Sequence, residues 1–253
     1  MAIQSYESYD MLLKQFLLPH PFVPYISMLV GMFACKLKLF QPFKDANALK
    51  WNNRAISTVH ALFITAMSLY LVFWSDLYSD QQLNAFVTLQ SSPLSTFALG
   101  VSVGYFLTDL GMIIWFYPAL GGLEYVVHHL LSVASVAYAM LTGEGQLYTY
   151  MVLISETTTP GINLRWYLDT TGMKGSRTYL INGVVIFIAW LVARILLFMY
   201  LFYHLYLHYQ QVKQMHIIGK FLAFGVPPIL AVMNVMWFGK IFKGLKKTLA
   251  KSQ

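Results

Sequence analysis

Apolar runs long enough to cross the ~30 Å of a bilayer's hydrocarbon, which takes about 20 helical residues, recur near 21–40, 54–75, 95–117, 123–142, 147–164, 179–207 and 217–239. The pattern predicts about seven transmembrane helices and leaves no room for a separate soluble domain. The run at 147–164 is the weakest, because Glu156, the Thr157-Thr158-Thr159 triplet and Pro160 make it polar and predict a kink. Within the runs, polar side chains recur at helical spacing. Ser57 with His60, Tyr105 with Asp109, and His128 with Ser132 and Ser135 lie three or four residues apart and so share a helix face. Such stripes cannot face lipid, and the simplest packing turns them inward around a shared polar chamber. The predicted fold class is an all-α integral membrane protein whose helices bundle around that chamber.

Composition agrees with this reading. The chain is 58% hydrophobic and 11% charged, against about 25% charged in a typical soluble domain. Aromatic residues make up 16%, which suits a protein with two membrane interfaces to anchor. The net charge of +7 comes from short blocks that flank apolar runs, a topology signal rather than a nucleic-acid-binding face. Lys36, Lys38, Lys44, Lys50 and Arg54 follow the first run, Arg165, Lys174 and Arg177 follow the fifth, and Lys240, Lys243, Lys246, Lys247 and Lys251 close the chain. The alternate loops hold only Lys14, Lys213 and Lys220. Cytosolic loops are enriched in Lys and Arg, so the N-terminus is predicted lumenal and the C-terminus cytosolic. The single cysteine, Cys35, excludes an intramolecular disulfide and any cysteine-based metal cluster.

An ionisable side chain at the bilayer centre costs about 2.5–3.5 kcal/mol on insertion scales, so each one needs a partner, a wet cavity or a task. Asp109, His128, His129, Glu156 and Arg194 are such residues. The adjacent histidines lie about 100° apart around a helix, so one ring can face a chamber while the other meets a neighbouring helix. A neutral imidazole serves as base or nucleophile, and a carboxylate on its other nitrogen fixes the tautomer. His128, His129, Asp109 and Glu156 are therefore the candidate catalytic set. The alternative is structural: histidines bonded between helices, with the carboxylates as counterions of Arg194 or of the histidines. Ser57, His60, Tyr105, Ser132, Asn163, Arg165, Trp166 and Arg194 are the candidate substrate-binding residues, although Arg165-Trp166 at a span end also fits an interface anchor. The aromatic stretch from Phe198 to Tyr209 reads as a lipid-facing belt. Metal-dependent lipid oxidation needs several histidine clusters of the HxxxH or HxxHH kind, and the chain carries no such set, so no metal and no cofactor are expected.

Trp51 with Arg54, Ser57 and His60, then Gly104-Tyr105-Phe106 with Asp109, then His128-His129, then Glu156 with Thr158, Pro160, Asn163, Arg165 and Trp166, together resemble the TLC domain. The resemblance runs from about residue 48 to 250, leaving 1–47 as an N-terminal segment with its own first transmembrane helix. The Glu-to-Trp string is most similar to the small branch called transmembrane protein 56-like, or TLC domain-containing protein 4. The resemblance implies a barrel-like bundle of about six helices around a lipid-accessible cavity, in the endoplasmic reticulum or a related membrane. In the ceramide synthase branch the paired histidines transfer an acyl group from acyl-CoA, which would make His128 or His129 the nucleophile or base and Asp109 or Glu156 the orienting carboxylate. This chain departs from that branch after the pair, where Leu-Leu-Ser-Val-Ala-Ser-Val-Ala-Tyr follows and the His-Asp step is missing. The expected function is thus binding or regulation of membrane phospholipids or sphingolipids, with acyl-CoA-dependent acyl transfer as the alternative. Under that alternative, Lys50, Arg54 and Arg177 would receive the phosphates of coenzyme A or, equally, anionic headgroups.

Overall fold

The computed structural model describes residues 26, 28–31, 46–79 and 86–250, all helices and connecting turns with no strand among them. The predicted first span and the segment 1–47 fall almost wholly outside the described residues. Helix α1 covers Ala46–Leu69 and runs on as a π-turn to Trp74; α2 covers Pro93–Trp115 and α3 Leu123–Thr142. The weak run is a broken helix, α4 (Gln146–Leu153) and α5 (Thr159–Thr170), joined by a 3₁₀ turn over Ile154–Thr158. The predicted kink thus falls at Glu156. Then come α6 (Arg177–Trp190), a π-turn over Leu191–Leu196, α7 (Leu197–Leu207), the short α8 (Tyr209–Val212) and α9 (Ile217–Ala250). Among the described residues five helical stretches are long and apolar enough to cross a membrane: Ala48–Trp74, Pro93–Trp115, Leu123–Thr142, Arg177–Leu207 and Ile217–Ala250. With the broken α4–α5 they make the six-membered bundle.

Helix α2 runs through the middle. Its small residues Ser95, Ala98, Ser102 and Gly104 are buried, which lets neighbouring backbones approach closely, as at membrane helix interfaces generally. Around it pack Ile64 and Leu71 of α1 and its π-turn, Val136 and Ala139 of α3, Tyr150 of α4 and Leu201 of α7. The outer surface is apolar, with Ile181, Val185, Ile188 and Val192 exposed along α6 and its π-turn. Of the aromatic stretch, Tyr200, Tyr203, Tyr206 and Tyr209 do face outward, whereas Phe198 is buried in the bundle.

Hydrogen bonds between elements mark the two ends. At one end the Gly145 amide donates to the Thr88 carbonyl and the Val87 amide to Oε1 of Gln211. At the other, the Tyr167 hydroxyl donates to the Trp51 carbonyl and Arg165 Nη2 to Oγ1 of Thr248. Lys50, Arg54, Lys174, Arg177 and Lys247 all belong to this second, basic end.

At the opposite end α3 stops because Gly143 and Gly145, with φ of 77° and 69°, take left-handed conformations that favour glycine. The turn delivers Glu144, whose carboxyl accepts the Tyr138 hydroxyl at 2.5 Å and the His216 amide at 3.1 and 3.2 Å at the start of α9. A carboxylate there complements the helix dipole and occupies an otherwise orphaned N–H. Glu144→Ala is expected to cost about 1–3 kcal/mol, read as a lower detergent melting temperature. An unchanged melt would show that α9 starts without this cap.

Candidate functional site

Two cavities meet in the bundle interior. A polar chamber of about 360 Å³ opens toward the basic end. Asp109, His128, His129 and Glu156 all line it, from α2, α3 and the 3₁₀ turn. Ser57, Tyr105, Asn163 and Arg194 line it as well. A narrow crease of about 70 Å³, walled largely by apolar side chains such as Leu131, Val152, Phe198, Ala223 and Val226, continues toward the opposite end between α3 and α9. His128, Glu156 and Arg194 line both and so mark the junction.

The two histidines differ in their surroundings. His129 Nε2 is 2.7 Å from Asp109 Oδ2, with the side chains only 12% and 9% exposed. Its Nδ1 is 2.9 Å from the Tyr125 carbonyl oxygen, which accepts only, so Nδ1 donates there. A hydrogen must also lie between Nε2 and the carboxyl, and His129–Asp109 is one bonded unit. The other carboxyl oxygen, Oδ1, accepts from Asn53 Nδ2 at 2.5 Å. Both ring nitrogens of His129 are therefore committed. His128 is different: its Nδ1 is buried without a hydrogen-bond partner, and its ring is held edge-to-face against Trp237 and His129, both at 5.5 Å between centroids. Buried polar atoms are seldom left unpaired, so this ring, beside a cavity, is the one of the pair with hydrogen-bonding capacity to spare.

At the junction the π-turn rotates the helix register so that Arg194 points inward, a common use of such bulges at functional positions. Arg194 Nε donates to Thr158 Oγ1 at 2.9 Å and Nη1 to Asn234 Oδ1 at 3.2 Å, while the guanidinium lies 4.5 Å over the Trp190 ring. Nη2 is 3.9 Å from Glu156 Oε1. Glu156 Oε2 accepts from Thr159 Oγ1 at 2.7 Å. This is a loose ion pair whose members still face the chamber. Asn163 clamps α5 to α1: its Nδ2 reaches the Arg54 carbonyl, Ser57 Oγ and Thr58 Oγ1 at 2.8–3.0 Å, and its Oδ1 accepts from Arg54 Nη1 at 2.9 Å.

Four of the expected substrate-binding positions lie off the chamber wall. His60 does not line the chamber; it is buried between α1 and α2, bonded to Ser102 Oγ at 3.1 Å and stacked on Tyr105 at 3.9 Å. One turn from Ser57, it lies deep enough for the interhelical contact to claim it. Ser132 faces the crease rather than the chamber, and its hydroxyl is spent on the His128 carbonyl at 2.9 Å. Arg165 leaves the site altogether, since its guanidinium stacks 4.1 Å over Tyr179 in a separate cavity. Trp166 sits beside the chamber, under the Arg54 guanidinium at 4.7 Å and edge-to-face with Trp51 at 5.7 Å. It lines a shallow pocket of about 200 Å³ that also holds Lys50 and shares Asn53, Arg54, Leu120 and Tyr125 with the chamber. That pocket is the chamber's vestibule.

Sequence reading missed Asn53, Asn234, Trp237 and Lys240, of which all but Asn234 line the chamber and Asn234 the crease. The signal was present, since Asn53 precedes Ser57 by one turn, and Asn234, Trp237 and Lys240 repeat every three residues. His204 and His208 form a lone HxxxH whose rings stack at 4.0 Å. Among the described residues no group of three or more His, Cys, Asp or Glu could hold a metal ion.

Five helices long and apolar enough to cross a membrane, packed with the broken α4–α5 around an interior polar chamber that an apolar crease continues, define a polytopic membrane protein. The chain belongs to the TLC-domain family: the family profile matches residues 50–243, most of its length. It is similar to TLC domain-containing protein 4-B of Xenopus laevis, 29% identical over 216 residues that cover 83% of this chain and 79% of that one. It is also similar to TLC domain-containing protein 4 of Homo sapiens, 24% identical over 221 residues (83% and 80%), and to TLC domain-containing protein 4 A of Dictyostelium discoideum, 22% identical over 218 residues (82% and 79%). No solved structure matches the chain.

Proposed function

We propose that this chain binds a membrane lipid in its interior, with one acyl chain in the crease between α3 and α9 and the polar end of the lipid in the chamber, and that it acts in phospholipid or sphingolipid homeostasis. The observation that carries the reading is the junction, where His128, Glu156 and Arg194 front an apolar crease on one side and a polar chamber on the other. A single chain suits a crease this narrow, and its entry would part α3 from α9. Membrane lipids are then the partners, and the basic end faces the cytosol, with the endoplasmic reticulum or a related endomembrane as the location.

The test is native mass spectrometry of the protein extracted in mild detergent, beside an Ala223→Phe variant that fills the crease. The expected result is one retained lipid per wild-type chain and its loss from the variant, with melting curves confirming that the variant folds. A wild type without lipid, or retention unchanged by the filled crease, would refute the reading.

A second reading, acyl transfer, is favoured by one specific observation, the unpartnered Nδ1 of His128 at the junction. In it the imidazole takes the proton of an amine or hydroxyl acceptor, or accepts the acyl group itself. Arg54 and Lys240 on the chamber wall and Lys50 in the vestibule would then receive the phosphates of an acyl-CoA donor.

A further inference from the structure

A separate cavity, of about 750 Å³, lies at the basic end between α5, the start of α6 and the end of α9, and shares no residue with the chamber or the crease. Four cationic side chains line it: Arg165, Lys174, Arg177 and Lys247. They arrive from α5, the α5–α6 turn, α6 and α9, so only the folded bundle brings them together. Among the described residues one carboxylate is ion-paired with this set, Asp169, whose oxygens are both 2.9 Å from Lys174 Nζ. The balance is three positive charges in excess around one concave space.

The cavity is built as well as charged. The Arg165 guanidinium is seated by the Tyr179 ring at 4.1 Å, by Thr248 Oγ1 at 3.3 Å and against Gly183, where an added Cβ would lie 2.6 Å from Nη1. That Nη1 is buried without a hydrogen-bond partner. Ser176 caps α6, its Oγ accepting the Tyr179 amide at 3.2 Å, so this helix begins in the cavity wall and turns the positive end of its dipole toward it. Exposed Met173, Ile181 and Leu249 are near neighbours in sequence of the cationic residues, which suits acyl chains beside a bound headgroup.

We propose that this basic cavity is a headgroup site for an anionic lipid carrying a phosphate monoester. Two guanidinium forks and two ammonium groups supply more donors than a phosphodiester with one charge can use, whereas a monoester offers three terminal oxygens and up to two charges. The site is independent of whatever occupies the central chamber.

The test uses the full chain in nanodiscs of phosphatidylcholine with phosphatidic acid added, or with phosphatidylserine at matched surface charge. Retained lipid is counted by native mass spectrometry, with inorganic phosphate as a soluble competitor. Phosphatidic acid is expected to be retained over phosphatidylserine. Removing two charges with Arg177→Gln and Lys247→Gln, both exposed side chains, should lower retention by about tenfold or more. Asp169→Asn, which frees Lys174, should raise it. Displacement by inorganic phosphate, sensitive to the same substitutions and with no lipid retained, would keep the phosphate site and assign it a soluble source. Equal retention of both lipids, or a double variant that melts normally and retains phosphatidic acid as wild type does, overturns the proposal. Should the double variant fail to fold, Asp169→Asn decides alone, and unchanged retention overturns it.

Discussion

Asp109→Ala is expected to destabilise the folded protein by about 3–5 kcal/mol, the cost of breaking a buried pair by removing one partner. The residue is buried, and both of its oxygens are bonded, to Asn53 and to His129. Without it His129 keeps its Tyr125 contact while Nε2 loses its partner, and Asn53 loses its acceptor. Asp109→Asn, which restores the shape and one acceptor, should recover part of the loss. In a double-mutant cycle with His129→Ala the two losses should fall short of adding, because each substitution breaks the same contact. The measurement is thermal melting in detergent or nanodiscs. An Asp109→Ala protein that melts with wild type would show that the His129–Asp109 unit does not hold α3 to α2.

His128→Ala is expected to do the opposite, leaving the fold close to wild type while removing function. No hydrogen bond to Nδ1 is lost, and the ring's aromatic contacts are edge contacts to Trp237 and His129. If the protein transfers acyl groups, activity should fall by about 10²–10⁴, the usual worth of a general base. His129→Ala should lose activity only together with stability. The assay is transfer of labelled acyl groups from acyl-CoA to amine and hydroxyl lipid acceptors by wild type and both variants, with melts in parallel. A wild type inactive on every acceptor, yet holding one lipid that His128→Ala releases, supports binding over catalysis. Full activity or full lipid retention in His128→Ala would remove this residue from either reading.

The helices were legible in the sequence because spanning is a local property: a bilayer of fixed thickness demands a run of fixed length, and each run carries that signal by itself. The break at Glu156–Pro160 was legible for the same reason, as was the convergence of Asp109, His128, His129 and Glu156, since polar stripes have nowhere but the interior to go. What the tertiary structure decided is how each helix is rotated and what it meets. Composition gives no sign that His129 is locked by Asp109 while Nδ1 of its neighbour His128 is left without a hydrogen bond, because that depends on Asp109 lying 2.7 Å away on another helix. Arg165 and Asn163 are two residues apart, yet one stacks in a separate basic cavity and the other clamps α1, because about 200° of helical rotation separates them. Arg194 faces the chamber through a π-turn that no hydrophobic period announces. The sequence determined which residues must leave the lipid; only packing determined which partner each one found.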